Sequence, residues 1–201
     1  MKFILLVEGE TERKVLPAFL KRWLDEHSSQ RVGLKAVKVK DINDLTKMAQ
    51  SFIKAPENED ILAVIGLLDL YGLKGVSGES GPDYSKSVME IEGEVNHPKF
   101  RMFFAVHELE AWLLSQPDIF HRDVRVALKR YAKDPESVDF NKPPSKVLSE
   151  LYWGKLHKKY KKTTDGTVLF SMLDPHSAHS TCRHLADLLD TMLGLAQKTG
   201  T

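Results

Sequence analysis

Four apolar runs rich in β-forming residues divide the first half of the chain. They cover residues 3–7, 34–39, 61–68 and 102–106. The first run is continuously apolar and does not alternate with polar residues, which is typical of a strand covered by helices on both faces. Between the runs, apolar residues recur at intervals of three and four, which predicts helices. This alternation favours a doubly wound, mostly parallel four-stranded α/β sheet with helices on both faces.

The predicted helices differ in their surroundings before and after residue 116. Before it they separate the strands, over residues 11–27, 41–53 and 84–95, and Asp41 is a candidate N-cap. After it the strand signals stop, and helices are predicted over residues 122–132, 144–151, 154–160 and 175–195. Asp174 and Pro175 are favourable residues for the start of the last helix. The chain is therefore predicted to have an α/β core over residues 1–116 and a helical extension over residues 117–201 packed on it.

Composition excludes several classes of protein. The chain has 201 residues, of which 42% are apolar, so it can bury a core and is not disordered. The 29 basic and 28 acidic side chains nearly cancel, so contact with nucleic acid would need a local patch. One cysteine excludes an internal disulfide, and no apolar stretch reaches the roughly 20 residues of a membrane span. With no signal-peptide pattern, a cytoplasmic protein without membrane contact is expected.

The first strand ends in an acidic motif, Val7-Glu8-Gly9-Glu10-Thr11-Glu12. The carboxyl end of a parallel strand is where α/β proteins place their ligands. Glu8 and Glu12 are four residues apart, so a turn at Gly9 could direct both side chains into one cavity, with Glu10 pointing elsewhere.

The third and fourth strands also end in carboxylates. Asp69 emerges from an apolar run, and Gly72 follows three residues later, where the backbone is expected to pass close to another group. Glu108 and Glu110 follow the fourth run and face different ways on any regular element. Carboxylates gathered at one sheet edge repel one another unless a cation bridges them, and oxygen ligands favour Mg²⁺ or Mn²⁺ over zinc. The sequence thus predicts a hard divalent metal.

These motifs resemble those of the Toprim family, the metal-dependent catalytic domain of topoisomerases, primases and overcoming-lysogenisation-defect nucleases. The likeness lies in the Glu8 motif, in Asp69-Leu70-Tyr71-Gly72 and in His107-Glu108-Leu109-Glu110. More narrowly, the chain is similar to small bacterial Toprim-like proteins of unestablished function found beside ATPases in phage-defence loci. The resemblance implies a Toprim-like fold, an ATPase partner and action on DNA or RNA.

The resemblance also implies roles for individual residues. Glu8 would act as general acid or base, Asp69 would hold Mg²⁺, and Glu12 with Glu108 or Glu110 would complete the coordination. Tyr71 departs from the family pattern, because a typical second motif has an aspartate there. Two-metal chemistry would therefore need ligands from Glu12 and the third motif. His107 either packs structurally or orients Glu8 or a phosphate.

A lysine-rich segment follows the predicted helix at residues 144–151. Its candidate nucleic-acid-binding residues are Lys155, Lys158, Lys159, Lys161 and Lys162, with Lys146 extending the patch. Tyr152, Trp153 and Tyr160 could stack on bases or sugars. The alternative is an ordinary solvated helix face.

Three functions remain open from the sequence. The favoured one is a metal-dependent nuclease, with Mg²⁺ or Mn²⁺ as cofactor and a defence or DNA-processing role. The alternatives are a regulatory subunit that binds a nucleotide or metal without turnover, which Tyr71 favours, and a phosphatase or nucleotide hydrolase of small substrates. A homodimer is compatible with each of them.

Overall fold

A four-stranded sheet forms the centre of the protein. The computed structural model describes residues 1–70, 83–137 and 141–198. The strands are β1 (Lys2–Val7), β2 (Gly33–Lys38), β3 (Ile61–Asp69) and β4 (Phe100–Ala105). They lie in the order β2-β1-β3-β4, and every neighbouring pair is parallel. The predicted α/β class is confirmed, and each strand matches its apolar run to within one or two residues.

Nine α-helices surround or follow the sheet in the described part of the chain. They are α1 (Glu10–His27), α2 (Ile42–Lys54), α3 (Tyr84–Val95), α4 (Glu110–Leu114), α5 (Arg122–Leu128), α6 (Pro144–Leu156), α7 (Thr167–Met172), α8 (Pro175–Thr181) and α9 (Arg183–Gln197). A short π-helical segment, Lys162–Gly166, precedes α7. The predicted caps are confirmed, since Asp41 accepts a hydrogen bond from the Asp44 N–H and Asp174 from the N–H groups of His176 and Ser177.

Both faces of the sheet are buried. Phe3, Leu5 and Val7 of β1 point into a core that includes side chains of α1 and of all the helices after residue 110. Ile4 and Leu6 point to the opposite face, into a second core filled by α2 and α3. Burial on both faces explains why β1 is apolar at every position from Phe3 to Val7. Because the helical extension shares its core with the sheet, its side chains can reach the sheet edge.

Three predicted helices differ from the structure. The prediction over residues 154–160 is wrong, because α6 continues to Leu156 and ends at His157, whose backbone is left-handed (φ 52°). The prediction over residues 175–195 is broken at Cys182, which is extended (φ −107°, ψ 97°) and completely buried between α8 and α9. The prediction over residues 122–132 is too long, because α5 ends at Leu128.

None of the helices in the three described ranges is both long enough and apolar enough to span a membrane. The candidate residues Tyr71 and Gly72 lie outside the described residues.

Candidate metal and phosphate site

A cavity of about 230 Å³ opens at the carboxyl edge of the sheet, where β1, β3 and β4 end. Glu8, Glu12 and Asp69 are its acidic lining residues, and Gly9 and Leu109 also line it. Parallel pairing produces this convergence, because it places the carboxyl ends of all strands at one edge. Two of the three predicted motifs thus contribute carboxylates to one cavity.

The turn at Gly9 determines where Glu12 lies. Gly9 is the extended N-cap residue of α1 (φ −101°, ψ 158°), and the helix begins at Glu10. A Cβ atom at Gly9 would overlap the carboxylate of Glu12, so the side chain of Glu12 folds back over the glycine. Glu10 points away from the cavity, as expected, and pairs with Arg13 (2.6 Å) and Lys14 (3.6 Å) on the surface. Gly9 therefore leaves room for Glu12 at the cavity.

Asp69 is the last residue of β3, and it is half-buried where it lines the cavity. Its Oδ1 accepts a hydrogen bond from the Leu109 N–H at 3.1 Å. Burial raises the pKa of Asp69 well above its ordinary value; Lys162 opposes this effect, and the carboxylates of Glu110, Glu12 and Glu108 add to it. A carboxylate in these surroundings is ionised only at a free-energy cost, which a nearby cation would remove.

Glu108 and Glu110 belong to the turn between β4 and α4. Both carboxylates contact the ammonium of Lys162, at 3.3 and 3.1 Å, although the two side chains would face different ways on a regular element. The turn is not a regular element: His107 has a left-handed backbone (φ 64°) and is buried, and Glu110 begins α4. The rule for side-chain direction on a helix or strand therefore does not apply to this pair.

Glu108 also connects the turn to α6. Its second carboxylate oxygen accepts a hydrogen bond from the Ser145 N–H at 2.9 Å, in the first turn of α6. A carboxylate at this position is favoured by the positive end of the helix dipole. The helical extension thus holds Glu108 from two sides, through Ser145 and through Lys162.

Lys162 lies inside the acidic site. Unlike the other predicted lysines, it pairs its ammonium with two buried glutamates. Burial by itself would lower the pKa of Lys162, but the carboxylates of Glu110, Glu108 and Asp69 outweigh burial and raise it. Lys162 therefore stays charged and supplies a positive charge beside Asp69.

The donor set fits a hard divalent cation. Every candidate ligand is a carboxylate, and the raised pKa values of Asp69 and Glu110 show that a negative charge there needs compensation. Within residues 1–70, 83–137 and 141–198, however, no group of three or more His, Cys, Asp or Glu side chains is arranged to hold a metal ion. In this structure the charge compensation comes from Lys162, so a metal would require rearrangement of side chains.

Of the three aromatic rings predicted to stack on bases or sugars, only the ring of Trp153 is exposed. Tyr152 and Tyr160 are buried and pack edge to face against each other, with ring centroids 5.2 Å apart, so the prediction that they stack on bases is wrong. Trp153 is 62% exposed. Of the predicted basic residues, those with exposed side chains are Lys146, Lys155, Lys158, Lys159 and Lys161.

These features define a class: an α/β protein with an all-parallel sheet and carboxylates gathered at the ends of its strands. The chain belongs to the family described as Domain of unknown function (DUF4276), whose model matches residues 7–193. The match includes the acidic motifs and the whole helical extension except its last residues. A comparison with curated proteins found no match.

Solved structures with a similar fold come from OLD proteins. The C-terminal region of the Burkholderia pseudomallei OLD protein is 18% identical with a TM-score of 0.53, over 96% of this chain and 98% of that chain. The C-terminal region of the Xanthomonas campestris pv. campestris OLD protein is 20% identical with a TM-score of 0.43, over 94% of each chain. The Burkholderia match confirms the α/β fold with C-terminal helices expected from the sequence.

Proposed function

We propose that this protein is a metal-dependent nuclease that hydrolyses phosphodiester bonds of nucleic acid. The observation that carries the proposal is the cavity at the sheet edge, which Glu8, Glu12 and Asp69 line together. Glu108 and Glu110 lie close enough to Asp69 to raise its pKa. Glu108 and Glu110 are buried, and gathering like charges at one edge of the sheet is unfavourable for folding by itself, which supports a binding role.

The proposed ligands of Mg²⁺ or Mn²⁺ are Asp69, Glu12, Glu108 and Glu110. When bound, such a cation polarises a phosphate oxygen and lowers the pKa of a water molecule. Glu8 lines the same cavity as Asp69 and is proposed as the general acid or base. Lys162 would contact a phosphate oxygen once a metal takes over its carboxylate partners, because its ammonium is adjacent to both glutamates.

Two features support a nucleic-acid substrate. The segment before Lys162 presents exposed lysines, which suit a polyanion that must enter a site lined by carboxylates. The fold is also similar to that of an OLD protein region, a resemblance that we extend to activity as part of this proposal. A cytoplasmic location, an ATPase partner, a homodimer and a role in phage defence remain predictions.

A cleavage assay tests the proposal. Labelled single-stranded and duplex DNA and RNA are incubated with the protein in EDTA, Mg²⁺ or Mn²⁺. We expect cleavage only with a divalent metal, and its loss in Glu8→Gln and in Asp69→Asn. Glu10→Gln is the matched control, because Glu10 belongs to the same motif but pairs with Arg13 at the surface. Full cleavage by Asp69→Asn would contradict the proposal.

A regulatory subunit that binds metal or nucleotide without turnover is the second candidate. The observation that favours it is that Lys162 already pairs with both Glu108 and Glu110. Calorimetry with Mg²⁺ and Mn²⁺ separates the two candidates, since metal binding without cleavage of any substrate would favour the regulatory subunit.

A further inference from the structure

A second pocket lies beside α6, outside the acidic cavity. Its volume is about 370 Å³, and Ser149, Trp153, Lys159 and Tyr160 line it. Trp153 is 62% exposed, and it is an aromatic residue among the exposed large apolar residues of the described ranges. Ser149 and Trp153 are four residues apart on α6, so both face the pocket from one side of that helix. The pocket thus combines an exposed aromatic ring with a neighbouring lysine.

The chain links this pocket directly to the acidic site. Tyr160 lines the pocket, and Lys162, two residues later, contacts Glu108 and Glu110. Three residues of fully extended chain span at most about 11 Å, so Lys159 cannot be farther than that from Lys162, measured between Cα atoms. A nucleic-acid strand with one nucleotide at the pocket would therefore have neighbouring phosphates near the acidic site.

The charges around the pocket favour a polyanion. Lys155, Lys159 and Lys161 are exposed, and their ammonium groups form no ion pair with any described residue. Lys158 differs from them, because it pairs with Asp165 at 3.6 Å and lies over the ring of Tyr152. The lysines without an ion pair are available for phosphate groups on either side of a bound nucleotide.

The exposed ring of Trp153 selects for an unpaired base. In a duplex the faces of each base are covered by its neighbours, and only base edges and the backbone are accessible to protein. An unpaired base offers its face, and stacking on an aromatic side chain is tolerant of base identity. We propose that the Trp153 pocket binds an unpaired base, and that the substrate of the acidic site is single-stranded nucleic acid. This inference rests on the proposed function for the substrate of the acidic site.

Binding measured in EDTA tests the pocket without any cleavage. A fluorescein-labelled single strand of mixed sequence and a blunt duplex of the same sequence are titrated with wild-type protein and with Trp153→Ala. We expect Trp153→Ala to weaken single-strand binding roughly 5- to 150-fold, which corresponds to the 1–3 kcal/mol of one base stack. Duplex binding should not change. Trp153→Phe should retain most of the single-strand affinity, because it keeps an aromatic face.

Tryptophan fluorescence gives a second readout. Trp23 and Trp112 are buried, so a strand that stacks on Trp153 should quench the exposed component of the emission. The quenching should be absent from Trp153→Phe. Met89→Ala is the matched control, because Met89 is an exposed apolar residue on α3 and should not affect binding.

Three outcomes would overturn the inference: equal single-strand affinity of Trp153→Ala and wild type, an equal loss for single strand and duplex, or no single-strand binding by wild type. Because the titrations need no metal, they are independent of the cleavage assay. A protein that binds single strands through Trp153 but never cleaves them would contradict the proposed nuclease and leave the base pocket supported.

Discussion

The ammonium of Lys162 lies 3.1 Å from the Oε2 atom of Glu110. This contact joins the helical extension to the turn that follows β4, and Glu110 is almost completely buried there. Burial raises the pKa of Glu110, and the charge of Glu108 raises it further. The ion pair matters because Lys162 lowers the pKa of Glu110 and so favours the ionised carboxylate. The extension therefore contributes a positive charge that stabilises the ionised carboxylates of the acidic site.

Replacing Lys162 by Met should destabilise the protein at neutral pH. Glu108 and Glu110 would lose their cation, and an uncompensated buried carboxylate is costly. We expect a loss of about 1–3 kcal/mol, below the 3–5 kcal/mol typical of fully buried pairs, because the Lys162 side chain is 38% exposed. Urea denaturation in EDTA measures it. Lys161→Met is the control and should leave stability unchanged, so equal stability of both variants would contradict the role of Lys162.

Asp69→Asn should make the metal-free protein more stable at neutral pH. The raised pKa of Asp69 means that the folded state binds a proton more readily than the unfolded state. The contribution of Asp69 to the free energy of unfolding is therefore most favourable below its ordinary pKa of 3.8. It falls as pH rises toward the pKa of Asp69 in the folded protein. Asparagine removes this loss and can still accept the Leu109 N–H hydrogen bond.

The stability difference between Asp69→Asn and wild type should therefore grow as pH rises above 3.8 and shrink below it. Thermal unfolding in EDTA across this pH range measures the difference. If Asp69→Asn were less stable than wild type at neutral pH, ionisation of Asp69 would not destabilise the folded protein, and the prediction would be contradicted.

Divalent metal should stabilise the wild-type protein. A ligand that binds only the folded state adds about 1.4 kcal/mol of stability at ten times its dissociation constant. We expect Mg²⁺ or Mn²⁺ to raise the Tm of wild type and of Glu10→Gln, and to have little effect on Asp69→Asn. A Tm that does not respond to either metal in wild type would argue against the proposed ligand set.

Gly9→Ala should weaken metal binding with little effect on stability. The extended backbone at Gly9 accepts alanine, but the new methyl group would displace the carboxylate of Glu12. We expect the Mg²⁺ concentration for half-maximal cleavage to rise about tenfold, as for other groups that position a ligand. Gly93→Ala on α3 is the control: nothing lies within 4 Å of its new Cβ, so cleavage should be unaffected. An unchanged Mg²⁺ requirement in Gly9→Ala would exclude Glu12 as a ligand.

The elements that the sequence predicts well are those set by local patterns. The strands follow uninterrupted apolar runs because both faces of the sheet are buried, and Asp41 and Asp174 cap helices through hydrogen bonds to residues two or three positions later. The sequence does not predict the break at Cys182, because apolar residues continue at intervals of three and four from α8 into α9. A buried cysteine in extended backbone has no local sequence signal.

The candidate site was predictable only in part. Parallel strands share one carboxyl edge, so Glu8, Glu12 and Asp69 could be assigned to a common cavity from sequence. The direction of Glu108 and Glu110 could not, because it depends on the left-handed backbone at His107. Composition also could not separate the exposed ring of Trp153 from the buried rings of Tyr152 and Tyr160.

The sequence by itself therefore determined the fold class and three acidic strand ends, since these depend on hydrophobic periodicity and on the geometry of parallel sheets. Only the tertiary structure decided that Lys162 enters the acidic site and that Trp153 faces an open pocket. Both depend on how the helical extension packs against the sheet. That packing is a contact between segments far apart in the chain, and local sequence patterns carry no information about it.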